Sequence, residues 1–144
     1  MREEAYRVFV VMGDGELAEG SVWEGAMAGG HYRLNNLTAI IDRNGLQISG
    51  ETEAVMGQSP LKERWAAFGW NAIECDGNNV DALDTALTEA KSCVTQPSVI
   101  IAKTVKGFGY VAAENQVDWH HKVPTSEQRN AIFRELEERQ AQLS

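Results

Sequence analysis

Four short, β-rich apolar runs separated by longer stretches of helical periodicity constrain this chain more than any other feature. The runs cover residues 7–13, 37–42, 71–75 and 98–103. Each has the length of a strand and is apolar at consecutive positions, as expected where both faces of a sheet are covered. Strands that alternate with helices build a parallel sheet, because each crossover returns along a helix packed on the sheet. The predicted fold class is α/β, a parallel sheet with flanking helices, in a single domain spanning residues 1–144.

The helical stretches carry their own punctuation. Ser21, with Glu24 three residues on, reads as a capping box for the first helix. Ser59-Pro60 opens the second, with proline at the first helical position, and Gly69 stops it. A third runs over about residues 80–93, with Leu83, Ala86, Leu87 and Ala90 on one face and Pro97 beyond its end. The last covers about residues 126–142, opened by Thr125 and Gln128.

Charge and apolar content exclude several classes. The net charge of −8 argues against a nucleic-acid or anionic-membrane partner, since both need local positive potential. No stretch approaches the roughly 20 apolar residues of a membrane helix. The opening residues Met1-Arg2-Glu3-Glu4 run straight into the first strand, without the pattern of a signal peptide. Cys75 and Cys93 lack metal-type spacing and read as reduced packing residues, which makes the cytoplasm the expected compartment.

Residues 44–58 and 105–124 are long for connections in a compact α/β domain, and both follow the C-terminal ends of predicted strands. Open parallel sheets bind ligands there. Gly13-Asp14-Gly15 ends the first strand, and Asn44 lies 30 residues beyond Asp14, the length of one strand–helix–strand crossover. Parallel neighbours would bring the two side chains to one sheet edge. A carboxylate, an amide oxygen and a backbone carbonyl, completed by phosphate oxygens and water, suit Mg²⁺. Gly13 and Gly15 would let the backbone approach a diphosphate. Asp-Gly and Asn-Gly are also plain turn dipeptides; it is their pairing across two strand ends that favours a site. Lys106, in Lys103-Thr104-Val105-Lys106-Gly107-Phe108-Gly109, could set a point charge on phosphate, although most loop lysines are simply solvated.

The string Gly13-Asp14-Gly15-Glu16-Leu17-Ala18-Glu19-Gly20-Ser21-Val22-Trp23-Glu24, followed by Asp42-Arg43-Asn44-Gly45-Leu46-Gln47-Ile48-Ser49-Gly50, resembles the cofactor domain of transketolases. The resemblance runs over about residues 8–124. It implies thiamine diphosphate and Mg²⁺ (or Ca²⁺) as cofactors, with Asp14 and Asn44 as side-chain metal ligands and Leu46 supplying its backbone carbonyl. Gly13, Gly15 and Glu16 would lie against the diphosphate, and Lys106 matches the family lysine that contacts it. Trp119-His120-His121-Lys122-Val123-Pro124 resembles the family's aromatic–histidine–glycine motif, with His121 in place of the glycine. His120 is then the preferred catalytic histidine, and a one-residue slip in alignment would make it His121.

Glu19 and Glu24 open the first helix, where acids favour the helix dipole. The resemblance instead puts both in a proton-sharing network at a subunit interface. Gly25, Gly29 and Gly30 each cost a helix about 1 kcal/mol against alanine. Packing must hold that helix, and a partner subunit is the expected surface, with a loosely packed exposed helix as the alternative.

In the resembled family the cofactor domain has a preceding half, and a pyrimidine-binding domain supplies an activating glutamate. Neither appears in this sequence, so the chain reads as the C-terminal part of the cofactor domain. Its expected partner is a pyrimidine-domain subunit or the remainder of the same chain, in a homo- or hetero-oligomer. The implied reaction is transferase chemistry of the pentose phosphate pathway type: a two-carbon ketol unit passes from a ketose phosphate to an aldose acceptor, only in the assembled enzyme. The alternatives are a non-catalytic fragment or assembly module, and a component of another thiamine-diphosphate enzyme such as deoxyxylulose-phosphate synthase.

Overall fold

A computed structural model describes residues 6–143; the opening tetrapeptide discussed above lies outside them. Strands β1 (Val8–Gly13), β2 (Leu37–Arg43), β5 (Asn71–Asp76) and β6 (Ser98–Lys103) form one parallel sheet in the order β1-β2-β6-β5. The short strands β3 (Leu46–Gln47) and β4 (Gly50–Glu51) form an antiparallel hairpin beyond β2. The predicted α/β class and all four strands are present.

Burial follows strand position. β6 is central: Val99, Ile100 and Ile101 are fully buried. Val99 and Ile101 join one core with Ile41, Leu17, Ala26, Trp65 and Trp70, whereas Ile100 turns to a second with Ile73, Ala86 and Ala90. This is the period-two alternation of a strand covered on both sides. Each such aliphatic side chain contributes about 1.5–3 kcal/mol by leaving water. The first core lies under α1 (Gly20–His31) and α3 (Leu61–Ala67), and the second under α4 (Val80–Ser92).

β1 is different. It is an edge strand, and Val8, Phe9, Val10 and Val11 are all exposed, Val11 at 70%. Beside it, an apolar groove of ≈ 200 Å³ is lined by residues that include Val10, Val22, Gly25 and Trp70.

Three local expectations shift. α1 starts at Gly20 after Glu19, and no side chain caps it, so the Ser21–Glu24 capping box does not form. Pro60 sits at the N-cap of α3, one residue before the predicted first helical position. Gly29 and Gly30 pack inside the chain. A Cβ on Gly30 would come within 1.8 Å of the Phe68 carbonyl oxygen, and one on Gly29 within 2.8 Å of the Trp70 ring. The Trp70 indole N–H completes the junction by donating to Ala26 O at 2.7 Å. Of Gly25, Gly29 and Gly30, Gly25 alone has open space before it.

α5 (Ser126–Leu143) begins with a capping box: the Thr125 N–H donates to Gln128 Oε1, and the Gln128 N–H to Thr125 Oγ1. α4 is capped by Asn79, whose side chain accepts from the Asp81 and Ala82 N–H groups. Among the described residues no helix is long and apolar enough to cross a membrane.

Candidate cofactor and metal site

Strand register brings the candidate residues together. Gly13 pairs with Asp42 across β1 and β2, and the Asp14 N–H donates to Asp42 O at 3.1 Å. Asp14 and Asn44 therefore leave adjacent strands within one residue of the same level. β6 is the other neighbour of β2, so residues 105–124 leave the sheet beside residues 44–58. Three adjacent strand ends border an open cleft of ≈ 430 Å³. Gly13, Asp14, Gly15, Glu16, Glu19, Asn44, Leu46, Lys106 and His120 all line it. Glu24 is exposed on α1 and does not line the cleft. Nor does His121, whose ring meets His120 edge-on at 4.7 Å between centroids.

Asp14 is 3% exposed. Its Oδ1 accepts from the Gly15 N–H at 2.9 Å, and its Oδ2 accepts from the Gly45 N–H at 2.7 Å. Burial pushes its carboxyl above the ordinary aspartate value, partly offset by those two amides, and the nearby Asp42 charge pushes the same way as burial. The Thr52 hydroxyl is buried without a partner in hydrogen-bonding geometry, yet lies near enough to favour the Asp14 anion. A buried carboxylate held by two neutral donors, next to an orphaned hydroxyl, is under-compensated and well suited to a cation. Asn44 Oδ1 accepts from the Leu46 N–H at 3.0 Å, which folds the start of the loop back over the cleft. Among the described residues no cluster of three or more His, Cys, Asp or Glu is arranged to hold a metal. A cation here would therefore rely on the carboxylate, amide and carbonyl oxygens together.

The two glycines divide their tasks. A Cβ on Gly13 would meet nothing within 4 Å, so its backbone faces open cleft. A Cβ on Gly15 would fall 2.9 Å from Gln47 Cβ. At Gly15 the close approach is thus made by the chain's own hairpin.

The cleft's other wall is basic. Partial desolvation, then the charges of Lys106 and His121, hold the His120 imidazole below the ordinary histidine value. A neutral imidazole can accept as well as donate a hydrogen bond. Asp42 accepts from the Thr104 hydroxyl, and Asn78 Oδ1 accepts from the Val105 N–H at 2.7 Å, so the base of the Lys106 loop is tied to the sheet.

Sequence reasoning missed Thr52 and Ile48. Thr52 reads locally as a polar loop residue, and only folding buries it beside Asp14. Ile48 lines the cleft while 62% exposed. An isoleucine between polar loop residues was a legible signal, since its exposure has no local benefit.

Comparisons with known proteins give the family and the fold. Residues 4–135 match the family described as transketolase, thiamine diphosphate binding domain. The chain is 45% identical to one of the subunits of the apulose-4-phosphate transketolase of Phocaeicola vulgatus, over 96% of this chain and 50% of that protein. It is 38% identical to the 6-deoxy-6-sulfo-D-fructose transketolase subunit SqwG of a Clostridium species, over 90% of this chain and 47% of that protein. The transketolase structure from Campylobacter jejuni superposes with a TM-score of 0.85 at 27% identity, covering 91% of this chain and 20% of that one. The chain spans about half the length of the curated subunits it matches. Matched along nearly its whole length and carrying the acidic and basic walls of the cleft at three neighbouring strand ends, this chain belongs to the transketolase family, in its thiamine diphosphate-binding domain.

Proposed function

We propose that the chain is the C-terminal part of the cofactor domain of a transketolase-type transferase, and that its cleft holds Mg²⁺ and the diphosphate of thiamine diphosphate. The supporting observation is the convergence of Asp14, Asn44, Leu46, Lys106 and His120 on one cleft from three adjacent strand ends. Asp14 Oδ, Asn44 Oδ1 and the Leu46 carbonyl would hold the metal, as a hard-oxygen set that suits Mg²⁺ and admits Ca²⁺. The backbone at Gly13, Gly15 and Glu16 would lie along the diphosphate, with Lys106 adding positive charge. When bound, thiamine diphosphate supplies the carbanion chemistry for moving a two-carbon ketol unit between sugars. His120, whose imidazole is held below the ordinary histidine value, would hold or pass a proton at its ring nitrogen beside the substrate oxygens. Glu19 and Glu24 would meet their counterparts across a subunit interface.

Activity would need the rest of the cofactor domain and a pyrimidine domain, either in the same chain or in a partner. The exposed apolar side chains on both faces of β1 support that requirement, because contiguous apolar surface of this kind marks an interaction site. The relatives named as transketolase subunits support a divided enzyme. Calorimetric titration of Mg²⁺ with thiamine diphosphate into the assembled protein tests the site: saturable, metal-dependent binding is expected. Binding that is indifferent to Mg²⁺ would overturn the metal assignment.

A further inference from the structure

Asn44 precedes and Leu46 opens a hairpin of two-residue strands, so something more must hold them to the geometry of the cleft. The answer lies just past the hairpin, in the short helix α2 (Thr52–Val55). The Glu53 carboxylate accepts from the Gln58 N–H at 3.1 Å, the Ser59 N–H at 3.1 Å and the Ser59 hydroxyl at 2.9 Å. Arg43 closes the ring. Its Nη2 donates to Ser59 Oγ at 2.9 Å and faces Glu53 Oε1 at 3.5 Å. Arg43 is the last residue of β2 and immediately precedes Asn44, whereas Ser59 ends the excursion before α3. One carboxylate therefore gathers the two ends of the loop.

Next to Glu53, Thr52 is 2% exposed and donates its N–H to Gly45 O at 2.9 Å, with its hydroxyl beside Asp14. Glu53 is thus one residue from the hydrogen bond that ties α2 to the backbone between Asn44 and Leu46. The Ser59 hydroxyl and amide, then the Gln58 amide and Arg43, hold the Glu53 carboxyl below its ordinary value, so these contacts favour its anion.

We propose that Glu53 is a positioning residue, clasping Arg43 to Ser59 so that Asn44, Leu46 and Asp14 are preset for their ligand. This inference rests on the cleft being the metal and diphosphate site, but its test does not. An exposed ion pair alone would do little. Here the carboxylate also carries two backbone amides, and such charge-assisted bonds are about twice as strong as neutral ones.

Amide hydrogen exchange on the full chain reads the effect, because the Gly45 N–H is bonded to Asp14 and the Leu46 N–H to Asn44. Glu53→Ala should speed exchange at Gly45 and Leu46 by about tenfold or more through easier local opening, with Ile100 and Ile101 in β6 unchanged. Arg43→Gln, which spares the Glu53 amide bonds, should produce a smaller increase at the same two amides. Glu53→Gln, which keeps one acceptor oxygen, should fall between the wild type and Glu53→Ala. Faster exchange confined to Gln58 and Ser59, with Gly45 and Leu46 unmoved in both Glu53→Ala and Arg43→Gln, would overturn the proposal. It would do so without touching the metal assignment, which the calorimetric titration decides separately.

Discussion

The two loops that build the cleft differ in what holds them. Residues 44–58 are closed mainly by near neighbours in sequence, through the β3–β4 hairpin, the Asn44 turn and the Arg43–Glu53–Ser59 ring, with the Gly45 N–H bond to Asp14 as their tie to the end of β1. Residues 105–124 also close on themselves, through bonds such as the Asn115 N–H to Lys106 O at 2.9 Å, but add ties to a distant helix. Glu114 Oε1 accepts from Arg139 of α5 at 2.9 Å and from the Gly109 N–H, while Glu135 of α5 accepts from the Val111 N–H at 2.9 Å. Arg139 also stacks over the Phe108 ring at 5.0 Å. The acidic wall of the cleft is therefore locally preset, and the basic wall depends on a C-terminal helix docking correctly. A loop closed by neighbours in sequence can form early and stay formed, whereas one braced by α5 can open without disturbing the sheet.

The sharpest test of this division is chemical. Asp14→Ala should lower Mg²⁺-dependent cofactor affinity in the assembled protein by more than about a hundredfold, because residues merely supporting metal ligands already cost about 10–100-fold. Cys75→Ala, in the second core, should change it by less than about twofold. Parity between the two in a calorimetric titration would remove the acidic wall from the comparison.

Backbone substitutions come next. Gly107 has φ of +75°, and a Cβ there would fall 2.5 Å from Ala113 O. Gly45 has a similar φ of +78° but open space before it. A left-handed backbone costs a side-chain-bearing residue about 1–3 kcal/mol. Gly107→Ala should add a clash to that strain and lower the urea midpoint more than Gly45→Ala does. The reverse order would mean that the second loop yields freely and is not braced as described.

A smaller effect follows from cutting the brace itself. The Arg139–Glu114 pair is partly exposed, with side chains 37% and 25% accessible, so Arg139→Ala should cost about 1 kcal/mol or less of global stability. Its local signature should be clearer: faster exchange at Gly109 and Val111, with Gly45 and Leu46 unaffected. Loosening of both loops together would show that the two walls are coupled.

The smallest change is electrostatic. His120 should titrate below the ordinary histidine value, because its charged form is disfavoured in the folded chain. The sign follows by linkage: the unfolded state binds the proton more readily, so this group's contribution to stability is present above about pH 6.5 and is lost as pH falls through the folded value. Lys106→Ala removes one of the charges responsible and should move the imidazole titration upward, as read by NMR. An unmoved midpoint would separate Lys106 from His120 and leave the basic wall without its pairing.

Much of this arrangement was legible in the residues. The strands are continuous apolar runs and the helices show one-sided periodicity, both of which are local signals. Asp14 and Asn44 could be paired because a single strand–helix–strand crossover leaves few places for its two strands to lie. The Thr125–Gln128 cap was legible for the same reason, since both partners fall within one helical turn.

What the residues did not disclose depends on distance along the chain. Burial on both faces selects β6 as the neighbour of β2, and that choice carries Lys106 and His120 to the acidic wall. Gly29 and Gly30 suggested an external partner, whereas their closest surfaces are Trp70 and the Phe68 carbonyl, reached only after α3 and β5 fold against α1. Apolar periodicity states which face of an element must be covered and is silent on what covers it. Strand order, the α5 brace and the burial of Thr52 beside Asp14 are settled by the competition for that cover, which belongs to the whole fold.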